Sequence, residues 1–159
     1  MIDRVATCVC GQLQLTCKGE PEFVGMCHCH QCQTRSGSVF AVNCTFSDDQ
    51  VKPSGESTTF MRTAESGRTV TYHFCPACGT TVYWKGEMRP QETAVAVGAF
   101  RDSSIRAPER AVWAQTRHTW VHEPSGISVY PKGHKYGHET IAPDLVEHLK
   151  LNESKNSHD

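Results

Sequence analysis

Thr69-Val70-Thr71-Tyr72-His73-Phe74-Cys75-Pro76-Ala77-Cys78-Gly79-Thr80-Thr81-Val82-Tyr83-Trp84 is the stretch on which the fold turns. Two runs rich in β-branched and aromatic residues flank Cys-Pro-x-Cys-Gly, so the segment reads as strand, tight turn, strand. This is the form of a zinc knuckle. The backbone amides of such a turn can donate to the thiolate sulfurs, and the glycine after the second cysteine permits the left-handed conformation such a turn often needs.

Two ligands do not close a zinc shell, and the sequence supplies others upstream. Cys8-Val9-Cys10 precedes Gly11-Gln12-Leu13-Gln14-Leu15-Thr16-Cys17, whose alternation of polar and apolar residues is that of a half-buried strand. The pair is therefore expected at a strand start. Joining Cys8 and Cys10 to Cys75 and Cys78 gives a closed four-cysteine site between distant segments. The remaining cluster, Cys27-His28-Cys29-His30-Gln31-Cys32, offers three thiolates from what reads as a loop between strands. Seven of the nine cysteines are thus used as four and three. A structural zinc takes four protein ligands and a reactive one takes three, so Cys27, Cys29 and Cys32 form the candidate open site. A fourth ligand from His28, His30, Cys44 or an acidic side chain would close it and make it structural as well.

A disulfide framework is the competing reading. Against it, Met1 to Thr7 contains no apolar run long enough for a signal peptide, which points to the cytoplasm, and Cys-x-Cys neighbours make strained bridges. The chain has 159 residues and a formal net charge of −1, from 16 basic and 17 acidic residues. That length suits one domain. Neither sign forms a block, so no nucleic-acid face is expected, and no apolar stretch suggests a membrane span.

Further strands are expected over 23–26, 39–46, 58–62 and 92–100, and less firmly over 111–121, with turns at 18–21, 47–49, 52–57 and 65–68. Helical periodicity is scarce. A zinc-binding domain over 1–131 is followed by an extension over 132–159, with a short helix near 144–151 after Pro143 and a polar tail beyond it. Cys17 and Cys44 read as small buried hydrophobes, and Tyr83, Trp113 and Trp120 as core or pocket wall. His118, His122, His134 and His138 form no metal motif and read as surface histidines. Arg35, Arg62, Arg68 and Lys85 are the cations near the clusters in sequence.

Cys-x-Cys-Gly with its alternating strand, Cys-His-Cys-x-x-Cys followed by Ser36-Gly37-Ser38-Val39-Phe40, and Phe-Cys-x-x-Cys-Gly-Thr resemble, in this order, the glutathione-dependent formaldehyde-activating enzyme family. The resemblance runs from Cys8 to about Trp120. It implies a mainly β, Mss4-like zinc-containing barrel or sandwich with a zinc-ribbon knuckle and little helix, a fold shared with a small zinc-binding chaperone of Rab GTPases. It implies two zinc ions, one on Cys8, Cys10, Cys75 and Cys78 and one on Cys27, Cys29 and Cys32. The implied activity is a carbon-sulfur lyase that joins glutathione, or another thiol, to formaldehyde or a related aldehyde. Gln33-Thr34-Arg35 departs from the commoner family form, in which basic residues follow the cysteine directly. Other function classes compatible with the residues are a non-catalytic zinc-stabilised binding module and a metal-storage or redox-responsive protein using the exposed cysteines.

Overall fold

The structure, a computed structural model of the chain, describes residues 3–64 and 67–133. In chain order the strands are β1 (Asp3–Thr7), β2 (Gln14–Lys18), β3 (Phe23–Cys27), β4 (Ala41–Ser47), β5 (Val51–Ser54), β6 (Thr58–Thr63), β7 (Thr69–Phe74), β8 (Thr81–Gly86), β9 (Arg89–Ala96), β10 (Arg110–Val112) and β11 (Ser128–Val129). Among the described residues there is one α-helix, α1 (His30–Ser36), which joins β3 to β4. The fold is mainly β.

Two sheets share the work. The smaller has the order β1-β2-β5, and the larger has the order β11-β10-β3-β4-β9-β8-β7-β6. Among the described residues each keeps two unpaired edges, so the β architecture is open and not the closed barrel that is one form of the expectation. Every pairing is antiparallel except those of β10, which runs parallel to both β3 and β11.

Register assigns the two faces of the large sheet, because residues directly opposite one another point the same way. Cys44, Val95 and Tyr83 stand in one cross-strand row, with Phe46 two residues beyond Cys44, and all four are buried. They pack with Ala6, Leu15 and Cys17 of the small sheet, and with Leu13 just before β2, to form the main core. The opposite face carries a second row: Cys27 beside Ala41, Thr45 beside Ala94, Trp84 beside Tyr72, and Arg62 beside Val70. That outer face is where α1 sits. A second, smaller core of Met26, Ala111, Ala114, Val121 and Val129 fixes the β10–β11 edge.

Several local expectations change. The cluster at 27–32 is half helix, because Cys29 caps α1 in extended conformation (φ −61°, ψ 148°) and Gly37 ends it in the left-handed region. No residue of α1 is buried, so the helix lacks the apolar stripe by which periodicity would reveal it. Cys8 and Cys10 lie in the turn between β1 and β2 instead of at the start of a long strand. Residues 51–54, of which 52–54 are expected as turn, form an edge strand on β2, a place that tolerates Pro53. Strand β9 stops at Ala96, where Val97–Phe100 forms a 3-10 turn. Trp120 is 66% exposed, against an edge of His118, and is not core. The expected helix near 144–151 lies outside the described residues, as does most of the 132–159 extension. No helix among the described residues is long and apolar enough to cross a membrane.

Candidate metal centre

The four-cysteine group is built from two turns of like design. In one, the Cys8 N–H donates to the Leu13 carbonyl (3.0 Å) and the Gly11 N–H returns to Cys8 (3.1 Å). In the other, the Cys75 N–H donates to the Thr80 carbonyl (3.0 Å) and the Gly79 N–H returns to Cys75 (2.9 Å). Gly79 has φ +73°, the conformation that favours glycine. Further donors reach the sulfurs: the Leu13 N–H to Cys8 Sγ (3.3 Å) and Gln12 Nε2 to Cys75 Sγ (3.1 Å). Hydrogen bonds from Thr80 hold the Cys78 thiol down at about 5.

Sγ of Cys10 lies 3.5 Å from that of Cys8 and 3.6 Å from that of Cys75. A tetrahedral zinc with Zn–S bonds of about 2.3 Å has sulfurs about 3.8 Å apart. The four sulfurs of Cys8, Cys10, Cys75 and Cys78 all lie within 4.8 Å of one another, and all nine cysteines are free thiols. The donor set and its spacing fit zinc.

The sulfurs of Cys27, Cys29 and Cys32 form the second group, again within 4.8 Å of one another. They come from the end of β3, the N-cap of α1 and its first turn. Cys29 Sγ accepts the Cys32 N–H (3.4 Å), which satisfies one of the open amides at the helix start. Hydrogen bonds from the Cys27 and Cys32 thiols pull the Cys29 thiol down to about 2, while the contacts of Cys27 with Cys29 and Cys32 push Cys27 strongly up. Three sulfurs this close can share one negative charge unaided. Ionising all three calls for a cation among them, which is the chemistry of a thiolate metal site.

Among the described residues no fourth ligand completes this group. Cys44 projects from the core face of the sheet, opposite to Cys27. His30 is exposed on α1 and lies outside the group. His28 is fully buried and turns away: its Nε2 lies 3.2 Å from Glu123 Oε1, and its ring is 6.0 Å from that of Phe40. Glu123 is in turn paired with Arg117. Burial alone would raise the Glu123 carboxyl, but the His28 contact and the Arg117 charge hold it below the ordinary value. Gln33 adds a second tie, donating from Nε2 to the carbonyls of His28 (2.7 Å) and Thr116 (3.1 Å).

Beside the three sulfurs stands a group of cations and rings. Arg35, one turn after Cys32 on the same helical face, stacks its guanidinium 4.2 Å from the Trp84 ring centre and 5.6 Å from that of Tyr72. Arg62 donates to the Tyr72 hydroxyl from Nε (2.9 Å) and Nη2 (2.7 Å). Of the four cations singled out in the sequence, these two flank the site. Lys85 is engaged by Asp48 at 2.6 Å, and Arg68 points to Met88. The sequence reading missed Glu123, Arg117, Tyr72 and Trp84. Only the register of β7 and β8 with α1 brings the last two to the cluster, and no local motif marks the first two.

Among solved structures, a crystal structure of a Rhodobacter sphaeroides protein is similar at 19% identity, covering 64% of this chain and 90% of that one with a TM-score of 0.47. No curated protein matches the chain. The family model described as glutathione-dependent formaldehyde-activating enzyme matches residues 3–116, which include both cysteine groups. The chain belongs to the glutathione-dependent formaldehyde-activating enzyme family.

Proposed function

We propose that the protein is a zinc-dependent carbon-sulfur lyase that joins a thiol, glutathione in the first instance, to formaldehyde or a related small aldehyde, and works in the cytoplasm. The observation that carries this reading is the group of Cys27, Cys29 and Cys32, close enough to share an ion and without a fourth ligand among the described residues. In this assignment Cys8, Cys10, Cys75 and Cys78 hold a structural zinc, and the three-cysteine group holds the second.

What zinc supplies when bound at three thiolates is a divalent charge that favours the ionised form of a further, substrate sulfur at neutral pH. The reaction forms one S–C bond, opens the C=O double bond to a single bond, and moves the thiol proton to the aldehyde oxygen. Tyr72 is suited to deliver a proton. Burial pushes its hydroxyl up, so it is protonated at neutral pH, and the Arg62 donors leave the phenolic O–H free to point elsewhere. Stacking of Arg35 on Trp84 and Tyr72 fixes the wall against which the thiol would lie. His28, Glu123 and Arg117 hold the metal loop against the 113–123 segment and take no proton in this scheme.

The test is exchange between formaldehyde and its glutathione adduct, followed by NMR on the zinc-loaded chain. Acceleration by the unaltered chain is expected, with a loss of about a hundredfold in Tyr72→Phe at unchanged zinc content. Two zinc ions per chain without any acceleration would remove the lyase reading.

A further inference from the structure

The edges of the two sheets are not alike. An open edge presents a row of unpaired N–H and C=O groups, and folded chains blunt such edges with charge, proline or short length. Among the described residues the small sheet ends at β1, which opens on Asp3 and Arg4, and at β5, which carries Lys52 and Pro53. The large sheet ends on one side at β11, which is only 2 residues long. Its other end is β6, Thr58-Thr59-Phe60-Met61-Arg62-Thr63, without proline or lysine. Phe60 is 58% exposed and Met61 66% exposed, one on each face of the strand. The single charge, Arg62, is turned onto Tyr72, with its guanidinium 5.3 Å from the ring centre and two donors on the hydroxyl.

The direction of the unpaired groups follows from the hairpin that β6 makes with β7. The Ala64 N–H donates to the Arg68 carbonyl (2.7 Å), and Thr63 lies opposite Thr69. Hydrogen-bonded and non-bonded pairs alternate along an antiparallel ladder, so Thr58, Phe60 and Arg62 bond β7, whereas Thr59, Met61 and Thr63 turn their N–H and C=O groups outward. The Thr69 carbonyl accepts the Glu87 N–H on its far side, as this alternation requires. A strand added antiparallel at this edge must bring outward-turned residues opposite one another. For a second β6, the register that engages Thr59, Met61 and Thr63 of both strands sets Met61 against Met61 and Thr59 against Thr63. The same register sets Phe60 against Arg62 on the face that carries Tyr72, so an exposed ring lies beside a cation. No like charges face one another. Strand β6 is thus complementary to itself about a two-fold axis through Met61.

We propose that β6 is a self-association edge, on which a second copy of this chain adds its own β6 antiparallel to give a two-fold symmetric dimer with one sheet continuous through both copies. The contact is small, a pair of 6-residue strands with methionines meeting on one face and phenylalanine meeting arginine on the other, so the dimer is weak, with a dissociation constant of about 10 μM. Its position also bears on the three-cysteine group. Arg62 holds the Tyr72 hydroxyl, and in the dimer it is covered by Phe60 of the second copy, so assembly fixes a side chain that flanks the site. The pairing does not depend on which reaction the site performs.

The test is sedimentation velocity on the zinc-loaded full chain over about 1–100 μM, where a monomer–dimer transition is expected. Met61→Lys and Met61→Glu each set like charges against one another at the two-fold axis, and each is expected to associate about tenfold more weakly at unchanged zinc content. An equimolar mixture of the two sets opposite charges there and is expected to associate as well as the unaltered chain. A monomer at every concentration would overturn the proposal. So would a dimer that both variants form unchanged, or one that the mixture fails to restore. Hydrogen exchange reads the edge itself: the Thr59, Met61 and Thr63 amides should be protected at high concentration and lose that protection on dilution, whereas those of Phe60 and Arg62 stay protected throughout. Protection of Thr59, Met61 and Thr63 that survives dilution would mean that the chain's own residues beyond 133 cover the edge, and would overturn the proposal as well.

Discussion

Cys29 puts one sulfur to two uses. It belongs to the three-cysteine group and it caps α1 by accepting the Cys32 N–H. Serine keeps a capping oxygen but is a poor zinc ligand, so the two uses can be separated. Cys29→Ser is expected to lose one zinc per chain and all exchange activity while melting close to the unaltered protein. Cys29→Ala loses the cap as well and should be less stable than the serine variant by about 1 kcal/mol. Zinc analysis and thermal melts of the pair check this. The same residue shows what can and cannot be read from a sequence. Its membership in a triad follows from spacing, because Cys-x-Cys-x-x-Cys has few other uses. Its capping does not, since caps are sought among serine, threonine, aspartate and asparagine. Cys17 and Cys44 are the contrast: both are buried, with burial pushing each thiol up to about 12, so they are inert as their lone positions in strands suggested.

At the scale of elements, short contacts between distant turns matter most. Gly55 follows β5 with φ +81°, and a Cβ there would stand 1.8 Å from the Gln12 carbonyl oxygen. Gln12 in turn bonds the Glu56 backbone in both directions and donates to Cys75 Sγ. Gly55→Ala is therefore expected to destabilise by about 3 kcal/mol and to weaken zinc retention at the four-cysteine site, as measured by denaturation and by competition with a chromogenic chelator. The second such tie is Glu123, buried between His28 and Arg117. Its carboxyl titrates below the ordinary 4.5 in the folded chain, so its contribution is complete above that pH and is lost as pH falls through the folded value. Glu123→Gln leaves the Arg117 charge unmatched and should cost about 3 kcal/mol at pH 7, with a flatter acid limb in stability against pH. Neither tie was legible in the sequence. The β7–β8 knuckle was, because its strands and turn are coded by adjacent residues. Helix α1 was not, because it buries nothing and so leaves no periodic trace.

At the scale of the whole molecule, the two cysteine groups occupy different mechanical positions. The four-cysteine group joins the β1–β2 turn of the small sheet to the β7–β8 turn of the large one, across the core that both cover. The three-cysteine group joins only β3 to the helix that follows it. Removing metal from the first should open the sheets, whereas removing it from the second should leave them packed. Cys75→Ser is thus expected to give a chain with markedly lower melting temperature and lost near-ultraviolet dichroism. Cys32→Ser should retain both and lose only one zinc. Stepwise chelation followed by circular dichroism provides the same comparison without substitution.

A cleft of about 560 Å³ beside α1 has one wall made of Val9, Gly79 and Thr80, residues of the turns that carry the four-cysteine group. A change there to accommodate a bulkier molecule would disturb the clasp between the sheets.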